Sequence, residues 1–561
     1  MRKVFDNIEL YAVFFMLLPL CLLIGCGMTW VLGMTILPIL FPVCCVVAYL
    51  LSLRLSKRKH QMGSVVTLVG ILLVTLLLSY FIHDSAYDSN WYHQQSIAAL
   101  SEGWNPIYQH HYDPMGDNRN YMWVDHYAKG QETICATIVS TFANMEIGKM
   151  GNFFLPLSGF FFCLMAIRKR FIEWSDKKIF MAAIITAFPP VIWNQVFTYY
   201  IDFVLYPIVL IALCSILLYE NDRLKFGIVM ASMVAISISV KFNLFMWTGF
   251  LYAGIIVYLL TKKNYVLTRT TFFTGVIVSV VSLFSFAFNP YITNIIHHQT
   301  PFYPLLGGGN KIDIMSHVEP GAFKGLSAAE KIVVADLSRP MTQTQATELQ
   351  CPYGGYKFSN ISACGSVDVK LGGAGLFWID ALILALVVFV ISKSYRKREG
   401  ITCIVISALF ISTQFVVPGG WFYRYVSYIY LIPILLLFAS EEDIKKRWLK
   451  WIKRCAYILL LLNSIVGLMA SAGAAIVCNQ IEDYYVKCIN ASDKPCYQSG
   501  MFGFVRKIKP EKRCLNIENE EVERIPILPT REAIGIKYEN LNREVETTFI
   551  QDLLLKKGVL K

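Results

Sequence analysis

Charge is scarce in this chain: Asp, Glu, Lys and Arg make up 16% of its 561 residues, whereas 55% are hydrophobic. That balance places it among membrane proteins. Other scarcities narrow the class further. The first apolar run lacks a small-residue cleavage site and further runs follow it, which excludes a signal peptide. No closely spaced Cys or His pair supports a zinc centre. Despite a net charge of +12, no basic face interleaved with aromatics is present, which sets nucleic-acid binding aside. No internal repeat is found, and a transporter would place polar groups near the midplane, often on broken helices in repeated halves.

Long apolar runs are what the chain has instead. By hydropathy, thirteen spans are predicted, at about 9–26, 29–53, 64–82, 151–167, 179–195, 203–219, 226–240, 243–260, 270–288, 376–392, 401–417, 422–440 and 455–477. The expected fold is therefore an all-α polytopic membrane protein with a transmembrane domain over 1–477. An inside N-terminus puts "RLSKRK", "RKRFIEWSDKK", "NDRLK", "TKKNYVLTR", "SKSYRKR" and "EEDIKKRWLKWIKR" on the cytoplasmic side, as the positive-inside rule asks of short loops. With Arg2 and Lys3 these hold 26 of the 51 basic residues, so the net charge mostly reflects topology.

Three long segments then lie outside: loops 83–150 and 289–375, and a small C-terminal soluble domain, 478–561, whose function is unreadable. The outer loops carry the Gly, Pro, aromatic and acidic residues of folded loops, so the working face points outward. Within the second, "AAEKIVVADL" reads as a helix, and the glycines at 307–309 permit a loop that orders over a cavity. Of the fifteen cysteines, eight fall in spans as small apolar fillers. On the outer side, Cys351 with Cys364, and two among Cys478, Cys488, Cys496 and Cys514, are expected to form disulfides.

The stretch "HDSAYDSNWYHQQSIAALSEGWNPIY" (83–108) leaves the third span and at once presents acids, histidines and aromatics. Asp88 or Ser89 is a potential cap for a helix over about 89–101, with Gly103 just past its end. "QETICATIVSTFANMEIGKMG" spaces Ile134, Ile138, Phe142 and Met145 along one face, which suits an amphipathic interfacial or packing helix. Capping explains one aspartate, and aromatic belts explain some of the Trp and Tyr. Neither explains Asp84, Tyr92, His93, Trp104, Tyr108, Trp123, Asp125 and His126 gathered within about forty residues. Four charges also recur at the outer ends of spans: Asp202, Lys241, Asp380 and Arg424. They either pair and snorkel structurally or face a shared cavity; with the acidic aromatic loop they describe an outward polar cavity at the membrane rim.

These segments, together with "NQVFTYYIDF", "SVKFN", "FNPYITNIIHHQTPFYPLLG" and "PGGWFYRYV", resemble the GT-C superfamily of integral membrane glycosyltransferases. The likeness is to bacterial members in cell-surface polysaccharide pathways, relatives of protein O-mannosyltransferases and of the lipid A aminoarabinose transferase. It spans about residues 64–440. Two spans precede the one that leads into the first outer loop, an addition relative to many members, and 478–561 matches no part of the family. The resemblance implies an inverting transferase in a bacterial inner (plasma) membrane, with its active face extracytoplasmic. It would move a sugar from a polyprenyl-phosphate donor to a cell-envelope acceptor, whether glycan, lipid or protein. It implies Asp88 as catalytic base, with Asp84 in reserve, and Arg424 and Lys241 on the donor phosphate. The alternatives are a transporter or flippase of lipid-linked sugars, a polysaccharide polymerase or ligase of another fold, or a receptor or assembly subunit that has lost catalysis.

The residue chemistry is compatible with those roles. Sugar transfer from phosphate needs a carboxylate to accept the acceptor hydroxyl's proton and fixed cations for the leaving phosphate. His93 is placed to bind phosphate or orient Asp88. Trp91, Tyr92, Trp104, Trp123, Tyr291, Tyr303 and Trp421 offer rings for sugar faces, and Asp202 offers a hydroxyl acceptor. Asp84, Asp88, Asp113, Asp117 and Asp125 are oxygen donors without the fixed spacing of a calcium loop, so the sequence leaves cofactor use open.

Overall fold

The computed structural model describes residues 7–84, 86–109, 121–305, 318–342, 356–444, 446–493, 496–497, 502–514, 523–526, 533–536 and 542–560. Among them helices dominate, and the strands form three two-stranded pairs. Among the described residues, seven helices are long and apolar enough to cross a membrane by length and composition. The chain is an all-α integral membrane protein.

Burial sorts these helices into a core and a shell. Ile8–Val31 is apolar all round and buried along most of its length against Phe154–Arg170 and Leu40–Leu55, as a central helix should be. Met62–Phe81 and Tyr265–Leu283 bury few residues each and leave Val66, Val69, Leu73, Phe272, Phe273 and Ile277 exposed. In water such faces would be untenable, but lipid solvates them.

Each of the thirteen predicted segments overlaps a helix, but the helices differ from the predicted bounds and some are shorter or broken. The fifth splits into Asp176–Ala187 and Pro190–Gln195, because Pro189 and Pro190 withhold two amide donors and block the turn before them. In the twelfth, residues 423–430 form tight 3-10 turns and the α-helix is only Leu431–Ala439. The thirteenth is longer than expected. Arg447–Asn490 runs unbroken for 44 residues, roughly 66 Å at about 1.5 Å per residue. It passes through residue 478, where a separate domain was expected to begin.

Three other expectations change. Gly130–Phe142 is not an interfacial helix: every residue from Gly130 to Val139 is buried, so it is packed on all sides. Cys364 is free, so the Cys351–Cys364 disulfide does not form, and its thiol donates to the Asn360 carbonyl at 3.3 Å. Cys488 is also free, whereas Cys351 and the side chains of Cys496 and Cys514 lie outside the described residues, as do the glycines at 307–309. The "AAEKIVVADL" helix is present as Ala328–Leu337, closed by a capping box between Ser327 and Glu330.

Candidate functional site

The first outer loop is fixed to the turn that follows Pro190–Gln195. Asp84 is fully buried, with Oδ1 accepting from the Ala86 amide at 2.9 Å and Oδ2 from the Tyr199 amide at 2.7 Å. Ser89 Oγ accepts from the same Tyr199 amide at 2.9 Å. Burial pushes the Asp84 carboxyl up to about 6, against Lys149 and the donated N–H groups, which pull it down. Both carboxylate oxygens are therefore occupied by backbone. Asp84→Ala is expected to lower stability by about 1–3 kcal/mol by orphaning a buried amide, which thermal unfolding in detergent would read.

That fastening sets Asp88 beside Tyr200 and Asp202. The Asp88 amide donates to Tyr200 Oη at 3.4 Å. Asp88 does not cap its helix. Its backbone is already helical (φ −59°, ψ −32°), it makes no side-chain cap bond, and the chain continues as a π-turn, Ser89–His93, into Gln94–Ser101. The carboxylate is left half-buried, with no hydrogen bond from any described residue. Loss of water raises its pKa above the ordinary carboxylate range; Arg424 and His93 oppose the shift, while Asp368 and Asp202 add to it.

Three cations and two further carboxylates complete the cluster. Lys241 is a single extended residue (φ −161°, ψ 147°) between Arg223–Val240 and Phe242–Thr261, and it pairs with Asp202. Arg424 reaches Asp202 at 3.5 Å and Asp368 at 3.1 Å, and lies over the rings of Tyr200, Phe422 and Tyr425 at 5.2, 4.5 and 5.3 Å. Its approach depends on the preceding turn. Gly419 has φ +72°, and a Cβ on Gly420 would fall 1.8 Å from the Gln414 carbonyl, so "GG" is required there. Lys370 is 3% exposed, 3.7 Å from Asp368 and 4.3 Å above the Phe422 ring. Burial lowers its pKa to about 8, with Asp368 opposing and Arg424 assisting.

Asp368 and Lys370 were missed in the sequence. Lys370 is on the short strand Val369–Leu371, which pairs with Met341–Thr342, and Asp368 is the turn residue immediately before it. Their side chains meet at 3.7 Å, and "DVKL" was the available signal, too short to stand out.

The other named residues divide. His93 is buried, with Nδ1 2.6 Å from Glu132 Oε1, and Tyr92 tilts against it at 4.2 Å while also packing on Trp123 and Tyr127. Trp91 touches Tyr87, Tyr92 and Trp123. Trp421 stacks on Phe422, next to Arg424. Three are not brought to the cluster. Trp104 is fully buried and donates to the Gln109 carbonyl at 3.1 Å. Tyr291 donates to the Ile238 carbonyl at 2.8 Å among Phe242 and Phe302. Tyr303 stacks on His298 at 3.7 Å. Asp380 is also elsewhere, held by Arg339 at 2.8 Å and by Tyr356 at 3.1 Å. Asp113 and Asp117 lie outside the described residues, and among those described no group of three His, Cys, Asp or Glu is placed to hold a metal ion.

No protein-family model and no curated protein matches the chain. Among solved structures it is similar to ArnT from Cupriavidus metallidurans bound to undecaprenyl phosphate, at 14% identity and TM-score 0.36 over 79% of this chain and 85% of that one. It is also similar to the apo state of the same protein, at 13% identity and TM-score 0.34 over 79% and 84%.

Proposed function

We propose that the chain is an inverting glycosyltransferase that takes a sugar from a polyprenyl-phosphate carrier and passes it to a cell-envelope glycan, lipid or protein. The observation that carries this reading is the juxtaposition of an unengaged carboxylate, Asp88, with three cations, Lys241, Lys370 and Arg424. The topology read with it has thirteen spans over 1–477, an outward working face, outer loops 83–150 and 289–375, and an outer C-terminal region from 478. A bacterial inner membrane is the compartment.

In this reading the acceptor hydroxyl oxygen attacks the anomeric carbon and its proton passes to Asp88. The bond from that carbon to the phosphate oxygen breaks, and its electron pair leaves with the phosphate. Arg424, Lys241 and Lys370 stabilise the charge that develops, so no acid is needed to protonate the leaving group. Asp84 holds the loop that carries the base. His93, fixed by Glu132, binds the phosphate or orients Asp88, and Tyr92, Trp91 and Trp421 border the sugar. Asp202 and Lys241 lie at helix ends and Arg424 in the 3-10 turns before Leu431–Ala439, rather than in the middle of an α-helix, which favours a rim enzyme over a carrier with a midplane site.

The test is transfer from radiolabelled polyprenyl-phosphate sugars by the purified protein, with product configuration read by NMR. An inverted product supports the proposal, whereas specific donor binding without turnover on any donor and acceptor pair would sink it. The pH profile should be a bell. Asp88 must be ionised and its pKa is raised, so activity is lost as pH falls through that raised value. Lys370 must be charged and its pKa is lowered to about 8, so activity also declines as pH rises through about 8. Lys370→Met should remove the alkaline limb of kcat/KM, and a limb that persists would take Lys370 out of the phosphate site.

A further inference from the structure

The C-terminal region carries a contact that the proposed chemistry has not used. The helix Phe502–Lys507 buries Phe502, Gly503, Phe504 and Val505. Gly503 lies against the loop of Asp88: a Cβ there would fall 2.3 Å from Asn90 Oδ1 and 2.5 Å from Gln94 Oε1. The Asn90 amide cannot simply swing away, because its Nδ2 donates to the Asp84 carbonyl at 3.1 Å and the Ala86 carbonyl at 3.0 Å. It thereby clasps Asp84 and Ala86, which precede Asp88 in the loop.

At the end of the same short helix, Lys507 bridges two acids. Its ammonium lies 2.8 Å from Glu482 on Arg447–Asn490 and 3.2 Å from Glu146. The second oxygen of Glu146 accepts from the Asp84 backbone amide at 2.9 Å and also pairs with Lys149. A continuous polar path therefore runs from Lys507 through Glu146 to the backbone four residues before Asp88. Beside it, Tyr87 and Trp91, the residues one before and three after Asp88, pack on a core of Ile481, Tyr484, Tyr485, Phe504 and Ile508.

From these contacts we infer that Lys507 is a positioning residue for the Asp88 loop, with Phe502–Lys507 and the outer end of Arg447–Asn490 forming a strut behind the site. The catalytic part of this inference rests on the proposed role of Asp88; the mechanical part does not. Lys507 touches none of the reacting groups. Its effect is transmitted through Glu146 and the loop backbone, so its loss should lower turnover and leave donor binding alone.

The full-length chain in detergent, as wild type, Lys507→Met, Lys507→Arg and Gly503→Val, provides the test. Both Lys507→Met and Gly503→Val should raise hydrogen exchange in residues 84–95 while exchange in Ile8–Val31 and Phe154–Arg170 stays at the wild-type level. Each should also lower kcat by about 10- to 100-fold at unchanged donor KM, the scale of a small misplacement of a reacting group, and Lys507→Arg should recover both readouts. Wild-type exchange in 84–95 in the two disruptive variants would overturn the inference, as would a rise spread over the whole chain, which marks general loosening. A lowered kcat without raised exchange in 84–95 would also overturn it. Exchange is measured without substrate, so a wild type that transfers no sugar would sink the glycosyltransferase reading while exchange still decides the strut.

Discussion

Asp88→Asn is expected to lower sugar transfer by about 10²- to 10⁴-fold, the usual contribution of a positioned general base, while donor binding stays intact. The substitution is nearly isosteric, and the features that hold residue 88 in place are backbone ones. Its helical φ and ψ and its amide bond to Tyr200 Oη survive any change at the carboxyl. The carboxylate accepts no hydrogen bond from a described residue, so replacing it orphans no buried donor, and stability should move by less than about 1 kcal/mol. Charge is what changes. With no anion at 88, the acceptor hydroxyl keeps its proton as the new bond forms. Arg424 still faces Asp202 and Asp368, so the phosphate site persists. Single-turnover transfer measured beside equilibrium donor binding separates the two effects. A mutant that turns over like the wild type would remove Asp88 from the chemistry. A mutant that loses binding and turnover together would make it a structural residue.

How much of this was legible beforehand depends on whether the physics is local. The helices were legible because a run of some twenty apolar residues declares itself without reference to anything distant. The break at Pro189–Pro190 shortened one of them for a reason present in the letters, although hydropathy averages over it. Asp202, Lys241 and Arg424 were legible because a charge at the end of an apolar run is costly and invites a partner, whereas Asp88 was singled out by the acidic aromatic loop and the family resemblance. The cost of a charge does not give the partner. It selected Asp380 equally well, and Asp380 belongs to Arg339. Aromatic residues were the least readable. Trp104, Tyr291 and Tyr303 look like Tyr92 and Trp421 in sequence, and only the packing shows that the first three are spent elsewhere. The helix cap expected of Asp88 or Ser89 failed because Asp88 is itself already helical and makes no side-chain cap bond, and Ser89 Oγ accepts from the Tyr199 amide instead. Lys370 sits on, and Asp368 just before, a strand of three residues that exists only through its pairing with another loop. No window of sequence contains that information, and the same holds for Lys507, whose partners lie at Glu146 and Glu482.

Arg424→Met should have the second large effect, lowering kcat by about 10²- to 10³-fold, the scale found when a preorganised donor to a developing anion is removed. Donor affinity should weaken with it, because a phosphate already carries charge in the ground state. Folding is the competing explanation, since Arg424 lies between two carboxylates and breaking a buried pair commonly costs about 3–5 kcal/mol. The arrangement limits that loss. Asp202 keeps Lys241 and Asp368 keeps Lys370, so neither acid is left alone, and methionine still fills the space among Tyr200, Phe422 and Tyr425. Arg424→Lys sharpens the test. One ammonium cannot reproduce a planar fork that spans Asp202 and Asp368 while presenting a face to three rings, so lysine should recover part of the donor affinity through charge and little of kcat. Donor binding, kcat and thermal unfolding measured on both variants separate the cases. Full activity in Arg424→Lys would mean that only a point charge is needed there. An unfolded Arg424→Met beside a folded, inactive Arg424→Lys would still assign the guanidinium geometry to the chemistry, because the lysine variant retains the ion pairing that holds the rim together.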